Sequence, residues 1–123
     1  LVTKSDSARK SPKPKRAAAR PAAGADLLSG FIRLHILHHA AKEPLVGFWM
    51  IEELGRHGYS LSPGTLYPML RALEERGLLR SVAKREGRRA WREYRATAAG
   101  RTALTAAKAK LRELFHELIE EES

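Results

Sequence analysis

Residues 61–79 read LSPGTLYPMLRALEERGLL, and the rest of the chain is best read outward from them. Ser62 followed by Pro63 is a helix start: an N-cap residue, then proline at the first helical position, where a missing N–H costs nothing. Gly77 stops the helix. Between these ends Leu66, Leu70 and Leu73 recur at i, i+4 and i+7, a buried stripe, with Thr65, Tyr67, Pro68 and Arg71 off it. Pro68 falls in the second turn, where it removes a backbone hydrogen bond and is expected to bend the helix. Such a helix docks by its leucines and turns Ser62, Gly64, Thr65, Tyr67, Pro68 and Arg71 outward. Hydroxyls and helix-start amides there suit phosphate oxygens or base edges, and an arginine suits a phosphate or a guanine.

Two helices are expected upstream. Residues 27–41, LLSGFIRLHILHHAA, follow Asp26 as N-cap. Leu27, Phe31, Leu34, Leu37 and Ala41 fill one arc, and Leu28, Ile32 and Ile36 continue round the side. A helix this apolar needs cover on more than one side, which points to a partner chain. After a break at Lys42-Glu43-Pro44, residues 46–57 place Phe48, Ile51 and Leu54 on one face and Glu52, Glu53 and Arg56 toward water, with Gly58 as the terminating glycine.

Downstream the period changes. Two extended runs between Leu78 and Ala96 flank Glu86-Gly87-Arg88, a hairpin signal, with Ala90, Arg92, Tyr94 and Ala96 alternating against Trp91, Glu93 and Arg95. Thr97 then caps a final helix of some 25 residues. Leu104, Leu111 and Leu118 repeat every seven in it, Ala107 and Leu114 take partial d positions, and Phe115 and Ile119 widen the seam. Helix, helix, helix, basic hairpin, long helix is the order of a winged helix-turn-helix followed by a dimerisation helix, mainly α with a small β-hairpin.

Composition agrees and excludes much else. The chain has 123 residues, enough for one ordinary domain, and no cysteine, which removes disulfide scaffolds and thiolate metal sites. No apolar run is long enough to span a membrane. No export signal is evident, so a cytoplasmic, nucleoid-associated protein is expected, although the missing initiator Met suggests a non-native start. The formal net charge is +9, which favours a polyanionic partner. Residues 1–25 hold seven cations against Asp6, and residues 80–95 hold seven against Glu86 and Glu93. The first cluster lies in a Ser/Pro/Ala-rich stretch expected to be a disordered arm, either a solubilising tail or an aid to nonspecific DNA affinity. The second is the hairpin.

Here the chain resembles a known family. Leu61–Leu79, the hairpin ending EYRATAAG (Glu93–Gly100) and the Gly-aromatic segment LVGFWMIEEL (Leu45–Leu54) are similar to the PadR-type transcriptional regulators. The resemblance covers roughly residues 27–105; Phe48 stands where the family usually has tyrosine, and the single C-terminal helix matches its short branch. It implies a homodimeric, ligand-responsive winged-helix repressor on an inverted-repeat operator of double-stranded DNA, with a small hydrophobic or aromatic effector and no cofactor. The expected domains are a basic arm (1–25), a winged helix-turn-helix (26–97) and a dimerisation helix (98–123). DNA contacts are expected from Ser62, Gly64, Thr65, Tyr67, Pro68 and Arg71, joined by Arg85, Arg88 and Arg89 of the wing. Phe31, Leu34, Leu104, Leu111, Leu114, Phe115 and Leu118 are expected at the dimer interface.

Each residue also has a plainer reading. Tyr67 could be a half-buried packing tyrosine, and Arg88 and Arg89 merely solvated. Tyr94 is expected to pack the wing on the helices. Trp49 and Trp91 could stack on a planar ligand or be ordinary surface aromatics. His35 and His39 stand at i, i+4, but His38 lies elsewhere and no carboxylate accompanies them within the helix, so no metal site is expected. No phosphate loop, nucleophile elbow or spaced carboxylate pair is present, so an enzyme is not expected. A winged-helix adaptor for protein contacts is the competing class, though it has no need of a cationic hairpin; an RNA binder is a third.

Overall fold

The computed structural model describes residues 25–121. The basic arm lies outside them, apart from Ala25. The chain divides into two units inside its first helix, between Gly30 and Phe31. In the first unit the opening turns of α1 (Ala25–Lys42) leave Leu27 and Leu28 exposed. The second unit holds the rest of α1, then β1 (Leu45–Val46), α2 (Gly47–Arg56), α3 (Pro63–Glu75), β2 (Leu79–Glu86), β3 (Arg89–Ala96) and α4 (Ala98–Phe115). A π-helical turn, His116–Glu120, follows α4.

Side-chain pattern dictates the packing. Ile32, Ile36, Leu37 and Ala40 of α1 meet Met50 and Leu54 of α2, the α3 stripe Leu66/Leu70/Leu73, and Leu79, Tyr94, Ala96 and Leu104 in one core. Full burial of each large apolar side chain contributes roughly 1.5–3 kcal/mol. The inward face of α1 is thus the Ile32/Ile36 side, and Phe31 stays exposed. In α2 the inward face is Gly47, Met50 and Leu54; Phe48, expected on the buried face, is 66% exposed because Met50 takes the core position. Glu53 does not face open water as expected but pairs with Arg56 and His57.

Positive-φ glycines place the turns around α3. Gly58 (φ +90°) ends α2, with Tyr59 N–H donating to Leu54 O and Gly58 N–H to Gly55 O. Gly77 (φ +80°) repeats this double bond after α3, from Leu78 to Leu73 and from Gly77 to Glu74. Both are Schellman caps, for which a residue without a Cβ is favoured. α3 continues as one helix through Pro68.

The sheet is antiparallel in the order β1-β3-β2, with Leu45 opposite Tyr94 and Leu79 opposite Ala96. β1 was not expected: two residues carry no alternation, and they are a strand only because β3 pairs with them. The helix expected from residue 46 therefore starts at Gly47, with extended Val46 before it. Gly87, at φ +61°, makes the two-residue turn between Glu86 and Arg89; with positive φ only at its first central residue, the turn has the type II′ pattern.

Thr97 starts α4 and ties it down. Its hydroxyl accepts from Gly100 N–H at 3.0 Å and donates to Gly77 O at 2.6 Å, while its own N–H donates to Leu78 O at 3.1 Å. Gly100 is buried against the Leu78 carbonyl. Leu104 is buried, Leu111 half-buried, and everything from Arg112 to Glu121 exposed. The uninterrupted 25-residue α-helix expected here instead gives way at His116, where Glu121 N–H reaches back five residues to His116 O. Glu117, Glu120 and Glu121 crowd the negative end of the helix dipole, and His116 lies 2.8 Å from Glu120 Oε1.

Candidate nucleic-acid interface

α3 and the hairpin face each other across a groove of about 920 Å³. Ser62 holds the N-cap position with extended backbone, and its carbonyl accepts from Thr65 and Leu66 N–H, both at 3.0 Å. Its side chain makes no cap bond; the Ser62 and Thr65 hydroxyls lie 3.4 Å apart at the surface. Gly64 meets only the Ser62 hydroxyl near a hypothetical Cβ, so no crowding requires glycine there. Pro68 and Arg71 are exposed on the same helix.

Tyr67 fits both of its readings. It is 38% exposed and lines the groove, while one ring edge lies against Gly47, where an added Cβ would be 2.6 Å from Tyr67 Cε1. Gly47 therefore determines where the Tyr67 ring can sit. No local pattern marks that glycine, because its role depends on a side chain twenty residues away.

Of the wing cations expected to contribute, Arg89 lines the groove, its guanidinium 5.0 Å from the Trp91 ring centroid. Arg88 is exposed in the turn, and Arg85 Nε donates to Gly87 O at 3.2 Å, bracing the tip. Lys84 and Arg92 join the groove unannounced. For Arg92 a signal was available: it alternates in phase with Tyr94, which is buried as expected. Burial, then the Glu74 charge, pushes the Tyr94 phenol up from its ordinary range.

Of the α1 histidines, His35 and His39 face α2 and its C-terminal turn, and His38 faces α4 beside Leu104 and Lys108. The His35 ring is 4.9 Å from that of His57 and 5.5 Å from that of Tyr59; His39 meets Trp49 edge-on at 5.2 Å. Among the described residues no three metal-ligating side chains converge. Burial, then neighbouring cations, holds His35, His38 and His39 below the usual imidazole value; for His38 those cations are Lys42 and Lys108. Burial pushes the Glu53 carboxyl up, but hydrogen bonds with His57 and Arg56 outweigh it and leave it lowered. Depressed values mean that the folded chain prefers neutral histidine. Their stabilisation is full above pH about 6.5 and is lost as pH falls through the lowered folded values. The melting temperature is therefore expected to be lower at pH 5.5 than at 7.5, and His35→Phe should flatten that difference in calorimetry.

Three packed helices carrying a cationic antiparallel hairpin beside the outer face of the third define a winged-helix protein. Residues 36–106 match the family described as "Transcriptional regulator PadR-like family", and the chain belongs to that family of transcriptional regulators, which are not enzymes. The Mycobacterium tuberculosis protein "Transcriptional regulator Rv3488" is 54% identical over 88 residues, 72% of this chain and 82% of that protein. A PadR family transcriptional regulator from Eggerthella lenta has a similar structure, with TM-score 0.71 and 28% identity over 80% of this chain and 87% of that one. A PadR-like regulator from Bacillus cereus shares the fold at TM-score 0.72 and 21% identity, covering 80% and 98%. Among the described residues no helix is long and apolar enough to cross a membrane.

Proposed function

We propose that the chain is a sequence-specific repressor that binds an inverted-repeat DNA operator as a homodimer at the cytoplasmic nucleoid. α3 enters the major groove, and Ser62, Gly64, Thr65, Tyr67, Pro68 and Arg71 face the bases and flanking phosphates, while Arg85, Arg88 and Arg89 hold backbone phosphates. The observation that carries this reading is the cationic groove, in which Arg71 of α3 and Lys84, Arg89 and Arg92 of the wing line one continuous concavity. The homodimer is supported by exposed Phe31, Leu114, Phe115 and Leu118, with half-buried Leu34 and Leu111 beside them. Leu104 already belongs to the chain's own core and backs that seam. An apolar groove of about 260 Å³ touching Phe31, Leu34, Tyr59 and Leu111 is where a small aromatic or hydrophobic effector would bind.

Selection of bound sites from random duplex DNA at near-physiological salt tests the reading. A palindrome should emerge with half-sites ~34 Å apart, one DNA turn; recovery of unenriched sequence would refute specific binding. On the selected site, Tyr67→Ala or Arg71→Ala should reduce the preference over random duplex by ~1–3 kcal/mol. Arg88→Ala with Arg89→Ala should instead weaken all duplexes alike and flatten the salt dependence by about one unit for each phosphate no longer held.

A further inference from the structure

Glu74 lies on the wall of the cationic groove, one helical turn beyond Arg71. For a surface meant to hold phosphates this is the wrong charge, and coulombic repulsion alone would make it a handicap. Its bonding partners suggest another purpose. Glu74 Oε2 accepts from the Ser81 backbone N–H at 3.1 Å and from the Ser81 hydroxyl at 2.7 Å. The same hydroxyl oxygen accepts from Arg92 Nη1 at 2.9 Å. One carboxylate thus links α3 to β2 directly and to β3 through a single hydroxyl. Among the described residues these are the only side-chain hydrogen bonds between α3 and the wing strands.

The link sits where the wing leaves the body of the protein. Leu79 is buried and Ser81 half-buried, but every residue from Val82 to Ala90 is exposed. Beyond the β1 pairing at Tyr94 and Glu93 only Trp91 of the hairpin is half-buried, and a two-stranded ribbon with so little packing is marginally stable, so a bond at its base weighs on its direction. β2 is also an edge strand, so the Ser81 N–H that points away from β3 needs an acceptor, and Glu74 supplies it. A carboxylate bond to that N–H is charge-assisted and stronger than a neutral one.

We infer that Glu74 is a positioning residue: through Ser81 and Arg92 it sets the pitch of the wing over α3, so that the wing cations and the outer face of α3 meet one duplex together. This inference rests on the DNA-binding reading above. Pitch and repulsion predict opposite signs. If Glu74 merely repels phosphate, removing its charge tightens DNA binding whatever replaces it. If it holds the wing, Glu74→Ala weakens binding although the net charge becomes more positive, and Glu74→Gln, which keeps an oxygen for both Ser81 donors, binds as well as the parent or better.

The experiment titrates the full chain and three variants (Glu74→Ala, Glu74→Gln, Ser81→Ala) against a short random-sequence duplex over a range of salt, with a thermal melt of each to confirm folding. Glu74→Ala is expected to bind about tenfold more weakly, with a salt slope shallower by about two as two wing cations release their phosphates. Ser81→Ala, which keeps the backbone N–H bond to Glu74 but loses the hydroxyl that joins it to Arg92, should shift affinity and slope in the same direction by less and without any change of charge, and combining it with Glu74→Ala should add little. Should Glu74→Ala not fold, Ser81→Ala beside Glu74→Gln decides alone. Absence of duplex binding by the parent chain would refute the DNA-binding reading itself. A parent that binds, with Ser81→Ala unchanged in slope and Glu74→Gln and Glu74→Ala both tighter, would overturn the wing-setting role and leave Glu74 as simple repulsion.

Discussion

Gly100→Ala is expected to destabilise the chain by about 3 kcal/mol or more, the upper range for forcing an atom into a packed interior. A Cβ at residue 100 would overlap the Leu78 carbonyl oxygen and approach Leu78 C at 3.1 Å, and backbone cannot rotate aside as a side chain can. Relief would have to come from moving the start of α4 away from β2. That shift pulls on two hydrogen bonds at once, those from Thr97 N–H to Leu78 O and from the Thr97 hydroxyl to Gly77 O. A fall in melting temperature of more than about 10 °C is expected, given roughly 4–8 °C per kcal/mol for a domain of this size. Gly30→Ala is the control: that position is also helical, and nothing lies within 4 Å of its hypothetical Cβ. It should be neutral or slightly stabilising, because alanine favours helix over glycine by up to ~1 kcal/mol. Equal melting curves for the two variants would show that α4 can dock without the close approach at Leu78.

Phe115→Glu tests the proposed second copy at a position where the single chain has little packing to disturb. The ring is 51% exposed, and its neighbours Leu114 and Leu118 are 43% and 56% exposed. In an isolated chain a carboxylate there would remain hydrated, and folding would be little affected. Under a partner's apolar seam it would be buried and unpaired, which costs about 3–5 kcal/mol. Light scattering at micromolar concentration should give twice the chain mass for the parent and the chain mass for the variant, with helix content largely kept. Operator binding should fall with the dimer, because two half-sites then need two independent encounters. A variant that remains dimeric would move the interface elsewhere, and a parent that is monomeric at these concentrations would remove it.

The sequence revealed α3 most fully because three signals coincide there: Ser62-Pro63 at one end, Gly77 at the other, and the leucine triplet between. The hairpin was legible from Glu86-Gly87-Arg88 and the alternation beyond it. β1 was not, because a two-residue strand exists only through its pairing with Tyr94 and Glu93. The inward face of α2 was misjudged for a related reason. Phe48 is the larger apolar residue, but Gly47 leaves room for the Tyr67 ring, and Met50 turns to the core instead. At the groove, charge counting located the basic hairpin but favoured its tip. Cross-strand phase, which separates Arg92 on the body side from Arg88 in the turn, was present in the sequence and carries the finer assignment. No local pattern announced Glu74 and Ser81, since their bond joins separate elements.

The Gly77 Schellman cap and the leucine triplet together leave α3 with an unusual freedom. Its first turn is held by main-chain bonds to the Ser62 carbonyl, its last by those at Gly77, and its inward side by Leu66, Leu70 and Leu73, so none of these contacts uses the side chains at 62, 64, 65, 68 or 71. Those outward positions can therefore change without disturbing what keeps the helix in place. If α3 reads DNA as proposed, a lineage built on this scaffold would diverge in the nucleotide sequence it recognises while its thermal tolerance stays nearly constant. Position 67 is coupled to 47, because the Tyr67 ring rests on Gly47 and a side chain added at 47 would meet it. Libraries randomised at 62, 65, 68 and 71 should yield mostly folded proteins.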